Sequence, residues 1–461
     1  MEDDKQNIDE NQTNASKVGN FEPLSADDLI QPGNKSKYFI IAGGILTFIL
    51  LFILIFKFFS SKSSTPKETQ LTYWGLWEEK EVMQPLIDQY QAKNTKVKIE
   101  YIKMTPQDYR NKLIVRSQQG QGPDIYRYHN TWIPQIKEIL SYIPKNIYSN
   151  SEFEKIFYPV FKSDLGVGEH YFGIPLMVDG LVLLYNDNLY KSAGIDKSPK
   201  TWEDIINNIA KLTIRDKDGK LITAGIAIGT ASNIEHFSDI LGLFILQNGA
   251  DLKHLDSQEA IGALESFRKF AELPNNYWDE SMPSASQAFA QEKVAMIIVP
   301  SWQILNIKTI NPDLAFKSVP VPTLPGGEAI SVASYWVEGV SRFSSADKQA
   351  EAWKFLKYLS EKETMTKLYE LQTKSRQYPT ASSRVDLASI QSQNVYLEAV
   401  IKQGKYYKSI PTIALTYDNG LNDEINQYLE NAINSTINGE SYKTSLKTAK
   451  EGIEQVLTRY D

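Results

Sequence analysis

The sequence predicts an α/β fold standing behind an N-terminal transmembrane helix, and three observations predict it. From Leu71 onward, runs with two-residue alternation interleave with runs of helical period, the pattern of βα units on a largely parallel sheet. A single uncharged apolar run, YFIIAGGILTFILLFILIF, precedes them from Tyr38 to Phe56. The chain has 461 residues, more than one simple core organises, so two or three domains are expected.

Residues 1–37 are acidic, polar and without periodicity, a composition that stays disordered. The apolar run follows. At 1.5 Å per residue it extends roughly 28 Å, close to the ~30 Å hydrocarbon core of a bilayer. Lys35, Lys37, Lys57 and Lys62 flank it. It is long for the core of a secretory signal, and KFFSSKSSTPK offers no Ala-x-Ala-like cleavage site. Residues 38–59 are therefore expected to be an uncleaved signal anchor, with Tyr38–Phe59 in the membrane and 60–70 a flexible tether. The lysine count lean slightly toward a cytoplasmic body, but such counts weigh little when a long domain follows. With no cysteine, disulfides, thiolate metal sites, a catalytic thiol and an N-terminal lipidated cysteine are excluded. Net charge is −7 with both signs interspersed and no basic stripe, which argues against nucleic acid as a partner.

In the body, LTYWGLW reads as a strand and EEKEVMQPLIDQYQAKN as a helix with Val82, Leu86, Ile87 and Tyr90 on one face. KVKIEYI alternates, with Val97, Ile99 and Tyr101 pointing one way. A helix over Pro106 to Gln118 precedes GPDIYRY, a strand opened by a Gly-Pro turn. MVDGLVLLYNDN is a greasy strand that stops in a polar turn, with one acid, Asp179, near its start. SPKTWEDIINNIAKLT carries a capping pair, Thr201 and Asp204. RDKDGKLITAGIAIG is a hairpin around Asp218-Gly219, lacking the further ligands of a calcium loop. DSQEAIGALESFRKFAEL is a helix capped by Asp256 or Ser257. Trp353 lies among Leu356 and Leu359 at helical spacing and reads as core. No Gly-x-Ser-x-Gly, Walker loop or His-Glu-x-x-His occurs, and the four histidines lack metal-ligand spacing. No catalytic residue, metal or cofactor is expected. Acid pairs for a glycoside hydrolase are not signposted.

IPLMVDGLVLLYNDNLYKSAGIDKSPKTWEDI resembles the signature segment of extracellular solute-binding proteins of ABC importers, in the cluster that includes maltose-binding protein. LTYWGLWE, GPDI, LTIRDKDGKLITAGIAI, QAFAQEKVAMIIVPSW and KQAEAWKFLKYLSEKETMTKLYE with RQYPTASS resemble further family segments in the family's order, over about Leu71 to Leu457. Three features depart from the pattern. Glu292-Lys293 replaces the usual Gly-Lys, the lipid-bearing cysteine is missing, and bulky Tyr335-Trp336 stands where small residues often precede the return strand.

The resemblance implies a two-lobe periplasmic-binding-protein fold, type II-like, with lobe one over 71–177 and 336–376 and lobe two over 178–335 and 377–461. The strand after Met177 would cross between lobes, and SYWVEGVSR would cross back. It implies a monomeric extracellular body that takes a small-molecule solute, an oligosaccharide, and hands it to ABC permease subunits. A sensor or adhesion module with the same fold, and a cell-surface glycoside hydrolase, are the alternatives. A sugar offers flat C–H faces and many hydroxyls, so its site needs aromatic platforms and polar partners. The candidate platforms are Trp74, Trp77, Tyr128, Trp132, Trp302, Tyr335 and Trp336; the candidate polar groups are Glu78, Asn130, Asp179 and Arg376. His129 is expected to bond within its loop.

Overall fold

The computed structural model describes Ile49, residues 68–376 and residues 378–460. Apart from Ile49, the expected tail, the anchor Tyr38–Phe59 and most of the tether lie outside the described residues. Among the described residues no helix is long and apolar enough to cross a membrane. The body Lys67–Asp461 is one compact unit.

The first of its two principal sheets has five strands, in the spatial order Val97–Lys103, Thr69–Gly75, Ile125–His129, Trp336–Val340, Ile174–Pro175. The first three are parallel and the last two run antiparallel to their neighbours. Alternation in Val97–Lys103 buries Val97, Ile99 and Tyr101. Helix Lys80–Lys93 covers the sheet with Val82, Met83, Leu86, Ile87 and Tyr90, a stripe at helical spacing. Arg127 and Glu338, each 1% exposed, pair across adjacent strands at 2.6 Å. The Arg127 Nη1 also donates to the Leu76 carbonyl at 2.8 Å, which fixes the chain where the first strand ends.

The second sheet corrects the expectation of a largely parallel arrangement. Leu181–Asn186 lies between Met296–Pro300 and Phe316–Val319, antiparallel to both. All six of its residues are buried, because it is the central strand covered on both faces; hence its unbroken apolar run. Its polar end has a local cause. The Asn186 side chain accepts from the Leu189 N–H at 2.9 Å and so caps helix Asp187–Ser192. Its Nδ2 donates to Glu292 at 3.1 Å. Glu292 has φ of 58°, a conformation that glycine adopts without penalty. Where the family pattern has glycine, this chain places a glutamate that gains a hydrogen bond.

The segment read as one strand from Met177 is interrupted at Asp179 and Gly180. Met177–Val178 pairs with Ala381–Ser382, and Gly180 bridges to Ala333. Three chain segments thus run side by side between the two sheets. Elsewhere, Thr201 and Asp204 form a reciprocal capping box on Trp202–Leu212. Ser257, rather than Asp256, caps Gln258–Arg268. Strands Ile214–Arg215 and Leu221–Thr223 form the hairpin. Trp353 is fully buried.

Candidate functional site

Five of the eight tryptophans are buried, Trp302 and Trp336 are half-buried, and Trp77 is 38% exposed. Trp77 therefore offers the most accessible indole. It sits just past strand Thr69–Gly75 in a left-handed conformation, φ 69°. Its ring meets Trp336 edge-on at 5.5 Å, and Trp336 lies 5.4 Å from Trp132 and 5.1 Å from His129. This cluster stands beyond the carboxyl ends of the parallel strands, where open α/β sheets hold ligands.

Tyr417, which sequence reasoning missed, completes it at 6.3 Å from Trp77. It lies in an irregular loop in which Leu415, Tyr417 and Asn419 have φ of 59°, 58° and 45°. A non-glycine residue held in this region costs on the order of 1–3 kcal/mol, and such residues gather at functional sites. Asp418 holds the loop in place. Its Oδ2 accepts from the Asn422 N–H at 2.9 Å and from Gln135 Nε2 at 2.8 Å, while Asn422 Nδ2 donates to Thr131 at 2.7 Å. TYDNG ahead of a helical run carried the usable signal: an aromatic inside a turn sequence.

The other candidates have distinct surroundings. Trp74 and Tyr128 are buried in the core, Trp74 against Tyr109 and Tyr128 against Tyr126. Trp132 is fully buried, between Trp336 and Tyr109. Glu78 and Arg376 are committed to one another at 3.2 Å, with Gln372 on the same carboxylate oxygen at 2.9 Å. Asn130 donates to Asp164 at 3.1 Å and to Ser409 at 3.0 Å, and accepts from the Tyr335 N–H at 3.2 Å. The Tyr335 hydroxyl donates to the same Asp164 oxygen. Beside Asn130, Asp164 and Ser409 is a cavity of about 330 Å³. His129 bonds to Thr131 at 2.9 Å and Ser334 at 3.2 Å. Burial pushes its pKa down to about 3, so the ring is neutral near pH 7.

Asp179 accepts from the N–H groups of Gly180 at 2.7 Å, Ser301 at 3.2 Å and Trp302 at 3.3 Å. It thereby fixes the turn that carries Trp302. Burial pushes its pKa up to about 6, and those hydrogen bonds oppose the rise. Trp302 does not join the Trp77 cluster through any ring contact among the described residues; its neighbour is His236, edge-on at 5.5 Å. No group of three or more His, Asp or Glu among the described residues could hold a metal.

The sequence profile of the family described as bacterial extracellular solute-binding protein matches residues 75–366. The chain belongs to this family. This solute-binding protein falls in the maltose-binding-protein-like cluster of ABC-importer components. The maltotriose-binding protein of Pyrococcus abyssi is 23% identical over 288 residues, 61% of this chain and 60% of the relative. The maltodextrin-binding protein MdxE of Bacillus subtilis is 27% identical over 258 residues, 52% and 57% of the two chains. The chain thus spans about 60% of the length of the curated relatives it matches. The solved structure of the sugar-binding protein MalE from Xanthomonas citri superposes with a TM-score of 0.70 at 17% identity, covering 85% of this chain and 98% of that one. These relatives are binding proteins, and the solute-binding protein described here shares the fold of the last.

Proposed function

We propose that this chain is the membrane-anchored, extracellular solute-binding component of an ABC importer. It captures an oligosaccharide between two hinged lobes and delivers it to a permease. The observation that carries the reading is the Trp77, Trp336 and Tyr417 cluster at the ends of parallel strands. Aromatic faces at this position suit the C–H faces of a sugar ring. The names of the maltotriose- and maltodextrin-binding relatives support the same ligand class. The three side-by-side segments at 177–180, 333–335 and 378–382 support a hinge between lobe one, 71–177 and 336–376, and lobe two, 178–335 and 377–461. The five-stranded sheet, whose fourth strand arrives late and antiparallel, supports the type II-like description. The body is proposed to be monomeric.

The Tyr38–Phe59 segment serves as the anchor. It takes the place of the lipidated cysteine, which this chain lacks. Importer function requires the body outside, and long domains translocate despite local lysine counts. Protease added to intact cells degrades the body on this reading; a body cut only after lysis contradicts it. Calorimetric titration of the purified full chain with maltose through maltohexaose tests the ligand class. Dissociation constants near micromolar, about −8 kcal/mol, suit capture and release, and Trp77→Ala weakens binding by at least ~1 kcal/mol. Absence of heat across the series, with binding of an unrelated solute class, overturns the oligosaccharide assignment. Conversion of the sugar to products favours a hydrolase instead.

A further inference from the structure

We infer that the N-terminal half of helix Phe237–Gln247, with His236 before it, is a positioning element for the Tyr417 loop and for Trp302. His236, Asp239 and Gly242 hold these two aromatics without reaching the solute. This rests on the cleft reading above and adds residues that no sequence motif marks.

The three residues are spaced by three and so share one face of the helix. Each meets a different part of the candidate site. The His236 ring, 1% exposed, meets the edge of Trp302 at 5.5 Å. Asp239 is fully buried, and its Oδ2 accepts the Ala414 N–H at 2.9 Å. Ala414 is the residue before Leu415, where the first left-handed φ of the loop occurs. At Gly242 the helix backbone comes so close to the loop's approach that a Cβ would lie 2.4 Å from Thr412 Oγ1 and 3.2 Å from Ile410 Cγ2. Glycine inside a helix costs on the order of 1 kcal/mol relative to alanine; here it permits that approach. The same Asp239 oxygen lies 3.5 Å from His236 Nδ1.

A helix face of this kind has a reason to exist. The loop holds three non-glycine residues at positive φ, and such conformations persist only where the surroundings over-determine them. On one side the loop is held by Gln135 and Thr131, through Asp418 and Asn422. On the other, Asp239 supplies the acceptor and Gly242 the fit. Trp302 is fixed from below by Asp179 and from the side by His236. One helix end therefore sets the position of aromatics presented from two segments far apart in sequence.

The test compares the full-length chain with Asp239→Ala, Asp239→Asn and Gly242→Ala. Hydrogen exchange is followed in the ligand-free state, and maltotriose affinity is measured by calorimetry. Asp239→Asn retains a carbonyl acceptor for the Ala414 N–H. Gly242→Ala removes no hydrogen-bonding group, improves helix propensity and displaces the loop by volume alone. The expected result is about tenfold faster exchange across 412–420 in Asp239→Ala and Gly242→Ala, with strand Leu181–Asn186 unchanged and Asp239→Asn close to the parent. Maltotriose affinity falls about tenfold in the same two variants and recovers in Asp239→Asn. If Asp239→Ala does not fold, Gly242→Ala decides. Exchange across 412–420 equal to the parent in Gly242→Ala, or Asp239→Asn as loose as Asp239→Ala, overturns the inference. Failure of the parent itself to bind maltotriose counts against the oligosaccharide assignment, while the exchange result still decides the positioning role.

Discussion

Asp179, a candidate ligand group in the sequence, fastens a turn in the structure. It is an isolated acid beside an apolar strand, which is the pattern of a binding carboxylate. Its oxygens accept the N–H groups of Gly180, Ser301 and Trp302. The cost of that position is electrostatic. Burial raises its pKa from 3.8 to about 6, despite the hydrogen bonds. The folded state therefore holds this proton more tightly than the unfolded chain does. Its contribution to stability is fully present below pH ~4 and is lost as pH rises through ~6. The gap is worth on the order of 3 kcal/mol. Asp179→Asn removes the titration, so urea denaturation of parent and variant at pH 4 and pH 7 should show the variant gaining relative to the parent by about that amount. A stability difference independent of pH would show that Asp179 titrates normally. The aromatics were similarly ambiguous. Trp353 was legible as core because its neighbours have helical spacing. Trp74, Tyr128 and Trp77 occur in equally aromatic runs, and only the path of the backbone decides which indole or phenol emerges.

Elements were more legible than sites because their signals are local. The alternation in Val97–Lys103, the box at Thr201 and Asp204, and the turn at Gly219 each depend on residues a few positions apart. The strand pairings that build the site are long-range. Trp336–Val340 lies antiparallel to Ile125–His129 across more than 200 positions, and no periodicity announces that partner. The antiparallel second sheet was missed for the same reason. What holds Trp336–Val340 in register is the buried Arg127–Glu338 pair, with Arg127 also bound to the Leu76 carbonyl. Breaking such a pair from one side leaves a buried charge uncompensated and costs about 3–5 kcal/mol. Glu338→Ala is expected to lose that much in urea denaturation. It should also red-shift the tryptophan emission, as Trp77 and Trp336 lose their common support. A midpoint unchanged from the parent would mean that the pair does not organise the strand.

At the scale of the whole body, the proposed two-lobe reading needs a connection that bends without unfolding. The three segments at 177–180, 333–335 and 378–382 are short, paired to one another and placed between the sheets. On that reading, rotation about them would exchange few hydrogen bonds, as a hinge requires. The same structure shows what resists that rotation. Asn130 reaches Ser409, and Gln135 reaches Asp418, so the proposed lobes are also joined by polar contacts beside the Tyr417 loop. A solute drives closure only by binding the closed form better than the open one. On the proposed reading, aromatics from both lobes meeting one ligand would supply that difference: Trp77 and Trp336 from lobe one, Tyr417 and Trp302 from lobe two. A body of this length has a radius of gyration near 21 Å when compact. Small-angle scattering of the full chain in a detergent-matched background should show the body contracting on addition of a saturating bound sugar. In Trp77→Ala the contraction should require a higher sugar concentration, in proportion to its weakened affinity, because the loss of one platform lowers the advantage of the closed form. A radius that does not change in the parent, at a concentration where calorimetry shows full occupancy, would mean that this protein binds its solute on a preformed surface and that the three segments are a rigid joint.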